Sequence, residues 1–188
     1  MRIISGRFKG TALASVGKGD AGAHLRPTTD RVRESIFNLL VNGGYGDPIS
    51  DIRVLDLFAG TGALGFEALS RGASFVQLVD DGRKAGSLIS ENAKMLRVQG
   101  EVKLARRDAR KLGLWDGEPF GLVFLDPPYG KAMGEVALAA ALAGGWLTDD
   151  ALVVWEENRE QACPAGFSLL DARKYGDTWV HILEVGAV

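Results

Sequence analysis

The tetrapeptide Asp126-Pro127-Pro128-Tyr129 follows directly on the apolar run Leu122 to Leu125, so a buried strand is expected to end on it. Two successive prolines stop the strand and remove two backbone donors. What remains at the turn is a carboxylate, carbonyl oxygens and an aromatic face, an acceptor-only site suited to an amino group. The exocyclic nitrogen of guanine, adenine or cytosine is a poor nucleophile because its lone pair is delocalised into the ring. Hydrogen bonds from that nitrogen to Asp126 and to the Pro127 carbonyl would pyramidalise it, aim its lone pair at an electrophilic methyl group and favour the positive charge that develops. Tyr129 would stack on the base once it is extruded. Catalysis is therefore expected at Asp126, Pro127, Pro128 and Tyr129, against the bland alternative of a plain Asp-Pro-Pro turn with a surface tyrosine.

A second motif, Val54-Leu55-Asp56-Leu57-Phe58-Ala59-Gly60-Thr61-Gly62-Ala63-Leu64-Gly65, reads as a buried strand running through a glycine turn into a helix. Gly60, Gly62 and Gly65 match the dinucleotide fingerprint, and Asp80 stands where a ribose-binding acid is expected. A nicotinamide oxidoreductase is therefore a rival reading. Asp56 weakens it: a carboxylate beside the glycine turn repels a pyrophosphate but attracts the sulfonium and amino group of S-adenosylmethionine. Asp56, Asp80, Asp108 and Asp126 each fall at or just past the end of successive candidate strands. On a doubly wound sheet they would line one rim and divide an elongated ligand, with Asp80 on the ribose hydroxyls and Asp108 on the adenine amino group. Each could equally cap the helix that follows it, Asp108 above all.

The elements that would position these residues are legible as a change of pattern. From Ile52 onward, short apolar runs alternate with helical stretches, the signature of a parallel sheet with crossover helices. Strands are predicted at Arg53–Phe58, Phe75–Asp80, Val102–Arg106, Leu122–Asp126, Ala151–Glu156, Phe167–Leu170 and Thr178–Val185. Helices are predicted at Gly62–Arg71, Lys84–Leu96 and Lys131–Ala143, and one more starts near Thr28, Thr29 or Asp30 and carries Val32, Ile36, Phe37 and Leu40 on one face. The expected fold is α/β: a doubly wound, mostly parallel, seven-stranded Rossmann-like sheet with an antiparallel last strand pair. Residues 1–23 form a small basic hairpin arm and connector, with turns at Gly6 and Gly10, and residues 24–188 form the main domain.

The chain has 188 residues and a net charge of −2, which by itself argues against a nucleic-acid partner. The charge is unevenly placed, however. Residues 1–40 carry seven basic against three acidic residues, a balance of +4 that leaves −6 for the rest. A basic arm on an acidic body suggests a polyanion held by the arm, with Arg2, Arg7, Lys9, Arg31 and Arg33 as candidate RNA contacts. Deleting Met1 to Val16 is expected to spare cofactor binding. One cysteine excludes an internal disulfide framework, and His24 and His181 lack partners at metal-ligand spacing, so no metal is expected. No leader or spanning segment is read, and a cytoplasmic monomer is the default expectation.

Asp56-x-Phe58-Ala59-Gly60-x-Gly62 together with Asp126-Pro127-Pro128-Tyr129 resembles the class I S-adenosylmethionine methyltransferases that modify base amino groups. Arg2-Ile3-Ile4-x-Gly6-x-x-x-Gly10, Leu25 to Glu34 and Phe37-Asn38 are similar to the bacterial 16S ribosomal RNA guanine-N2 methyltransferase family of the RsmD type, a likeness that runs through Ala68 to Ala73 and Gly145 to Leu147. The resemblance implies methylation of guanine N2 in 16S ribosomal RNA or the small ribosomal subunit. It also implies cofactor contacts at Asp56, Phe58, Gly60, Gly62, Asp80 and Asp108, with Arg26, Pro27 and Thr28 closing over the methionine end. Asp80-Asp81-Gly82-Arg83 departs from the family's acidic-x-Asp-Arg pattern, which leaves the ribose between Asp80 and Asp81. Kindred alternatives are a DNA adenine-N6 or cytosine-N4 methyltransferase and a protein glutamine methyltransferase, since the acceptor turn suits any planar amine or amide. A catalytically silent RNA-binding protein is a third class.

Overall fold

Seven strands form one sheet in the order β3-β2-β1-β4-β5-β7-β6. The computed structural model describes residues 1–15 and 29–186, and in it β1 (Arg53–Leu57), β2 (Phe75–Val79), β3 (Val102–Ala105), β4 (Phe120–Leu125) and β5 (Leu147–Glu157) run parallel. β7 (Thr178–Val185) is antiparallel to both β5 and β6 (Phe167–Tyr175). β4 is a nearly continuous apolar run, and β1 is buried at every residue after Arg53, because both of their faces are covered. β6 continues five residues beyond its predicted end at Leu170, through Asp-Ala-Arg-Lys-Tyr. Pairing with β7 across the Gly176 turn holds that polar stretch extended, not any apolar pattern of its own.

The strands separate two apolar layers. On one face α1 (Asp30–Asn42), α2 (Ala63–Ser70) and α3 (Arg83–Leu96) contribute Ile36, Phe37, Phe66, Leu69, Ile89 and Leu96 to one cluster. On the other face α4 (Met133–Ala143) contributes Ala137, Leu138 and Ala141 to a second. Thr29 starts α1 by accepting the Val32 amide with its hydroxyl, 3.3 Å. The crossover from β3 to β4 has only a short 3-10 turn, Ala109–Lys111, in place of an α-helix. Because β1 pairs with β2 on one side and β4 on the other, the winding reverses at β1, and a crevice opens outside the carboxyl ends of those strands.

Every residue of α2 is buried, which a helix on a protein surface cannot be. The N-terminal hairpin covers it. Arg2 bridges to Ala12, Ile3 and Thr11 share a backbone bond of 3.0 Å, and Ile3 and Leu13 enter the core beside α2. Gly6 sits at φ +80°, and a Cβ there would lie 1.7 Å from the Ser70 carbonyl oxygen, so only glycine permits this approach. The amides of Ile4 and Ser5 donate to the Glu67 carboxylate at 2.7 and 3.0 Å. The hairpin is therefore packed into the body, and deleting Met1 to Val16 would strip Ile3 and Leu13 from the core. The expectation that such a deletion spares cofactor binding does not survive this geometry.

Candidate active site

The crevice at the reversal point is a cleft of about 790 Å³. It gathers Asp56, Phe58, Gly60, Asp80, Asp108 and the whole Asp126 to Tyr129 turn. A depression of about 810 Å³ at the opposite ends of the strands, beside Tyr45, Arg53 and Glu118, gathers none of the motif residues.

β1 delivers Asp56 into the cleft floor. Its carboxylate is 2% exposed and accepts the Gly65 amide at 2.9 Å. Gly65 is required for that bond: a Cβ there would fall 2.8 Å from Val76 and 3.0 Å from the Asp56 oxygen. Burial raises the Asp56 pKa from its ordinary 3.8 to about 8, the Gly65 amide offsets part of the rise, and the nearby negative charges of Asp126 and Asp80 add to it. A carboxylate this desolvated gains from any cation that reaches it. The motif alone puts Asp56 on a rim; the strand carries it inside. Phe58 follows at φ +60°, a left-handed backbone that costs a non-glycine residue about 1–2 kcal/mol and turns the chain out of β1 into the glycine loop.

Asp80, at the end of β2, uses its two oxygens to hold the Gly60 amide at 2.9 Å and the Gly82 amide at 2.8 Å. It therefore ties the glycine loop to the neighbouring loop, and burial raises its pKa. Asp81 is exposed and also lines the cleft. Asp108 caps the 3-10 turn through the Arg110 amide, 2.9 Å, and holds the Arg110 guanidinium in a two-pronged pair at 2.9 and 2.8 Å. That guanidinium keeps the Asp108 carboxyl below its ordinary range. Arg26, Pro27 and Thr28 lie outside the described residues.

β4 ends at Leu125, and the amide of the next residue, Asp126, reaches the Leu57 carbonyl at 3.4 Å and so pins the turn against β1. Pro127 is buried, Pro128 exposed and Tyr129 half-buried. The buried Glu157 carboxylate accepts the amide of Gly130, the residue that closes the turn. Motif reading misses Glu157, whose only signal is an acidic pair at the end of a strand predicted to be apolar.

Among the RNA candidates, Arg2, Arg7, Lys9 and Arg31 are exposed. Arg7 pairs with Glu101 and lies 4.4 Å over the Phe8 ring, and Arg2 donates to the Gly10 carbonyl at 2.9 Å. Arg33 is corrected: it is fully buried and cannot meet a phosphate. It occupies the inner face of α1 with Ile36, Phe37 and Leu40, where its guanidinium donates to the Arg2 carbonyl and, at 2.9 Å, to Asp30, with Glu67 3.8 Å away. Helical spacing with those three residues is the available signal.

Asp56 makes stability depend on pH in a direction opposite to the usual carboxylate. Its folded pKa lies above the unfolded value, so its contribution is complete below about pH 4 and is lost as pH rises toward 8. The unfolding free energy should fall by about 1.4 kcal/mol per pH unit over that window, roughly 2–4 °C in melting temperature. Asp56→Asn, whose amide oxygen can still accept from Gly65, should flatten this slope. Melting curves of both proteins between pH 5 and 8 check it, and equal slopes would reject a buried protonated Asp56.

No helix among the described residues is long and apolar enough to cross a membrane. A family model described as conserved hypothetical protein 95 matches residues 1–184. The chain is 37% identical over 172 residues to the ribosomal RNA small subunit methyltransferase D of Escherichia coli K12, covering 90% of this chain and 82% of that one. It is 40% identical over 188 residues to YlbH of Bacillus subtilis, covering 97% of each. The solved structure of yhhF from Escherichia coli superposes with a TM-score of 0.82 at 34% identity, over 100% of this chain and 99% of that one. With the glycine loop, the buried acid of β1 and the Asp-Pro-Pro-Tyr turn in one cleft, this chain belongs to the RsmD-type family of methyltransferases.

Proposed function

We propose that this chain transfers the methyl group of S-adenosylmethionine to the exocyclic N2 of a guanine in small-subunit ribosomal RNA. The observation that carries the reading is the opening of the Asp126-Pro127-Pro128-Tyr129 turn into the same cleft as the buried Asp56. S-adenosylmethionine, when bound, supplies an electrophilic methyl group on a cationic sulfur. The desolvated Asp56 suits that cation and disfavours the pyrophosphate that a nicotinamide dinucleotide would bring to the same loop. Phe58, Gly60 and Asp80 would shape the adenosyl pocket, Gly62, outside the cleft lining, would turn the loop into α2 behind it, and Asp80 or Asp81 would take the ribose. Asp108 would meet the adenine from within its Arg110 pair, and Arg26, Pro27 and Thr28 would close the methionine end. Asp126 and the Pro127 carbonyl would accept the N2 hydrogens, and Tyr129 would stack on the base. As the N–C bond forms, the methyl–sulfur bond would break to leave the neutral thioether S-adenosylhomocysteine, and the nitrogen gives up one proton, for which the Asp126 carboxylate is the acceptor. Ribosomal RNA is favoured over DNA or protein as substrate by the relatives named for it.

Incubation with tritiated S-adenosylmethionine and either naked 16S RNA or small subunits, followed by mapping of the labelled nucleoside, tests this. N2-methylguanosine at one position is expected, and label on another base or none at all would overturn it. The arm has its own signature. Replacing Arg2, Arg7, Lys9 and Arg31 together by Gln should weaken RNA binding and leave S-adenosylmethionine affinity unchanged. The dependence of RNA binding on salt should flatten by roughly 0.7 log units for each phosphate that these side chains neutralise in the parent. An equal salt slope would remove the arm from the RNA interface.

A further inference from the structure

Glu156 has no part in the chemistry assigned to the Asp126 turn. It sits at the end of β5, 1% exposed, and lines the cleft with Asp126, Tyr129, Met133 and Thr178. The sheet explains its place. Leu125 of β4 pairs in register with Trp155 of β5, and Asp126 and Glu156 are the residues that follow this pair, on chains whose ordinary spacing across the sheet is about 4.8 Å. Side chains alternate between faces: Phe124 and Val154 enter the α1 layer, and Leu125 and Trp155 enter the α4 layer. Continued one residue past the end of β4, this alternation returns Asp126, like Glu156, to the α1 face. Val180, opposite Glu156 on β7, belongs to that same layer. Both carboxylates line the cleft that holds the Asp126 turn.

Resting on the guanine-N2 reading, we propose that Glu156 is a specificity-determining residue that accepts the N1–H of the target guanine while Asp126 accepts from N2. Guanine carries a ring N–H donor directly beside its amino group. Adenine and cytosine carry a ring lone pair there, N1 beside N6 and N3 beside N4. A carboxylate at that point forms a charge-assisted hydrogen bond with guanine and repels the lone pair of the other two. Glu156 would thereby choose guanine among the bases whose amino groups fit the Asp126 turn, with the extruded base read on its Watson–Crick edge.

2-Aminopurine keeps the N2 amino group but has a lone pair at N1 and no O6 carbonyl, and the change of base preference in a Glu156 variant separates the N1 contact from the loss of O6. The test compares kcat/KM on substrates with guanine or 2-aminopurine at the position methylated by the parent enzyme, for the parent and for Glu156→Gln. The parent should prefer guanine by about a hundredfold or more. Glu156→Gln, whose amide can donate to N1 of 2-aminopurine, should bring that preference below about tenfold while S-adenosylmethionine affinity holds. A parent that methylates both bases alike overturns the assignment without any variant. Equal slowing on both bases in Glu156→Gln also overturns it, because a residue that only holds the fold cannot change the ratio. A parent that leaves guanine N2 unmethylated sinks the functional reading itself and is recognised separately by the product map.

Discussion

Asp126→Ala should lower kcat for methyl transfer at least a hundredfold, about 2.7 kcal/mol or more of transition-state stabilisation, with S-adenosylmethionine affinity within a few-fold of the parent. The carboxylate lies at the end of β4 in the cleft, beside the turn whose prolines withhold their amide donors. Its bond to the reacting nitrogen strengthens as positive charge develops, so its removal acts on turnover more than on binding. Cofactor affinity should not suffer, because the negative charge of Asp126 is one of the influences that raise the Asp56 pKa. Without it Asp56 ionises more readily, which favours a cationic ligand. Single-turnover rates paired with calorimetry check both halves. Turnover within tenfold of the parent would take Asp126 out of the chemistry.

Glu67→Ala should destabilise the chain by about 3–5 kcal/mol, which at roughly 2–4 °C per kcal/mol lowers the melting temperature by about 6 °C or more. Glu67 is fully buried at the centre of a polar knot. It accepts the Ile4 and Ser5 amides, pairs with Arg71 at 2.8 Å and lies 3.8 Å from the buried Arg33. Truncation leaves the buried Arg33 guanidinium, two of whose nitrogens already lack a hydrogen-bond partner, with Asp30 as its remaining carboxylate, and frees the two hairpin amides. Amide exchange at Ile4 and Ser5 should accelerate together with the loss of stability. Thermal melting with hydrogen exchange reads both, and a loss below about 1 kcal/mol would mean that the knot contributes little. The hairpin's far end is tied similarly. Asn92 accepts from Ala14 at 2.7 Å and donates to Thr61 in the glycine loop at 3.1 Å, so the basic arm and the cofactor loop share a buried amide.

The amino-acid sequence by itself determined the sheet and its chemistry. Runs such as Leu122 to Leu125, and alternations of apolar strand with amphipathic helix, are local patterns. The strands they predict at Arg53, Phe75, Val102, Phe167 and Thr178 begin at those residues. The Asp-Pro-Pro-Tyr turn and the glycine loop are equally local, because proline and glycine act on their own backbone. Winding order then obliges both to meet at the carboxyl ends of β1 and β4. What only the tertiary structure decided is which charged residues are inside. Arg33 reads as one more basic residue in a basic segment until the hairpin closes over α1 and α2. Glu67 reads as a surface residue of a short helix, although a helix as apolar as Ala-Leu-Gly-Phe-Glu-Ala-Leu-Ser signals a second cover. Asp56 and Glu156 sit in strands, but their burial and their neighbours depend on register between strands about 70 and 30 residues from Asp126 in sequence. Burial and electrostatic environment are set by what packs from a distance, and no local pattern contains that.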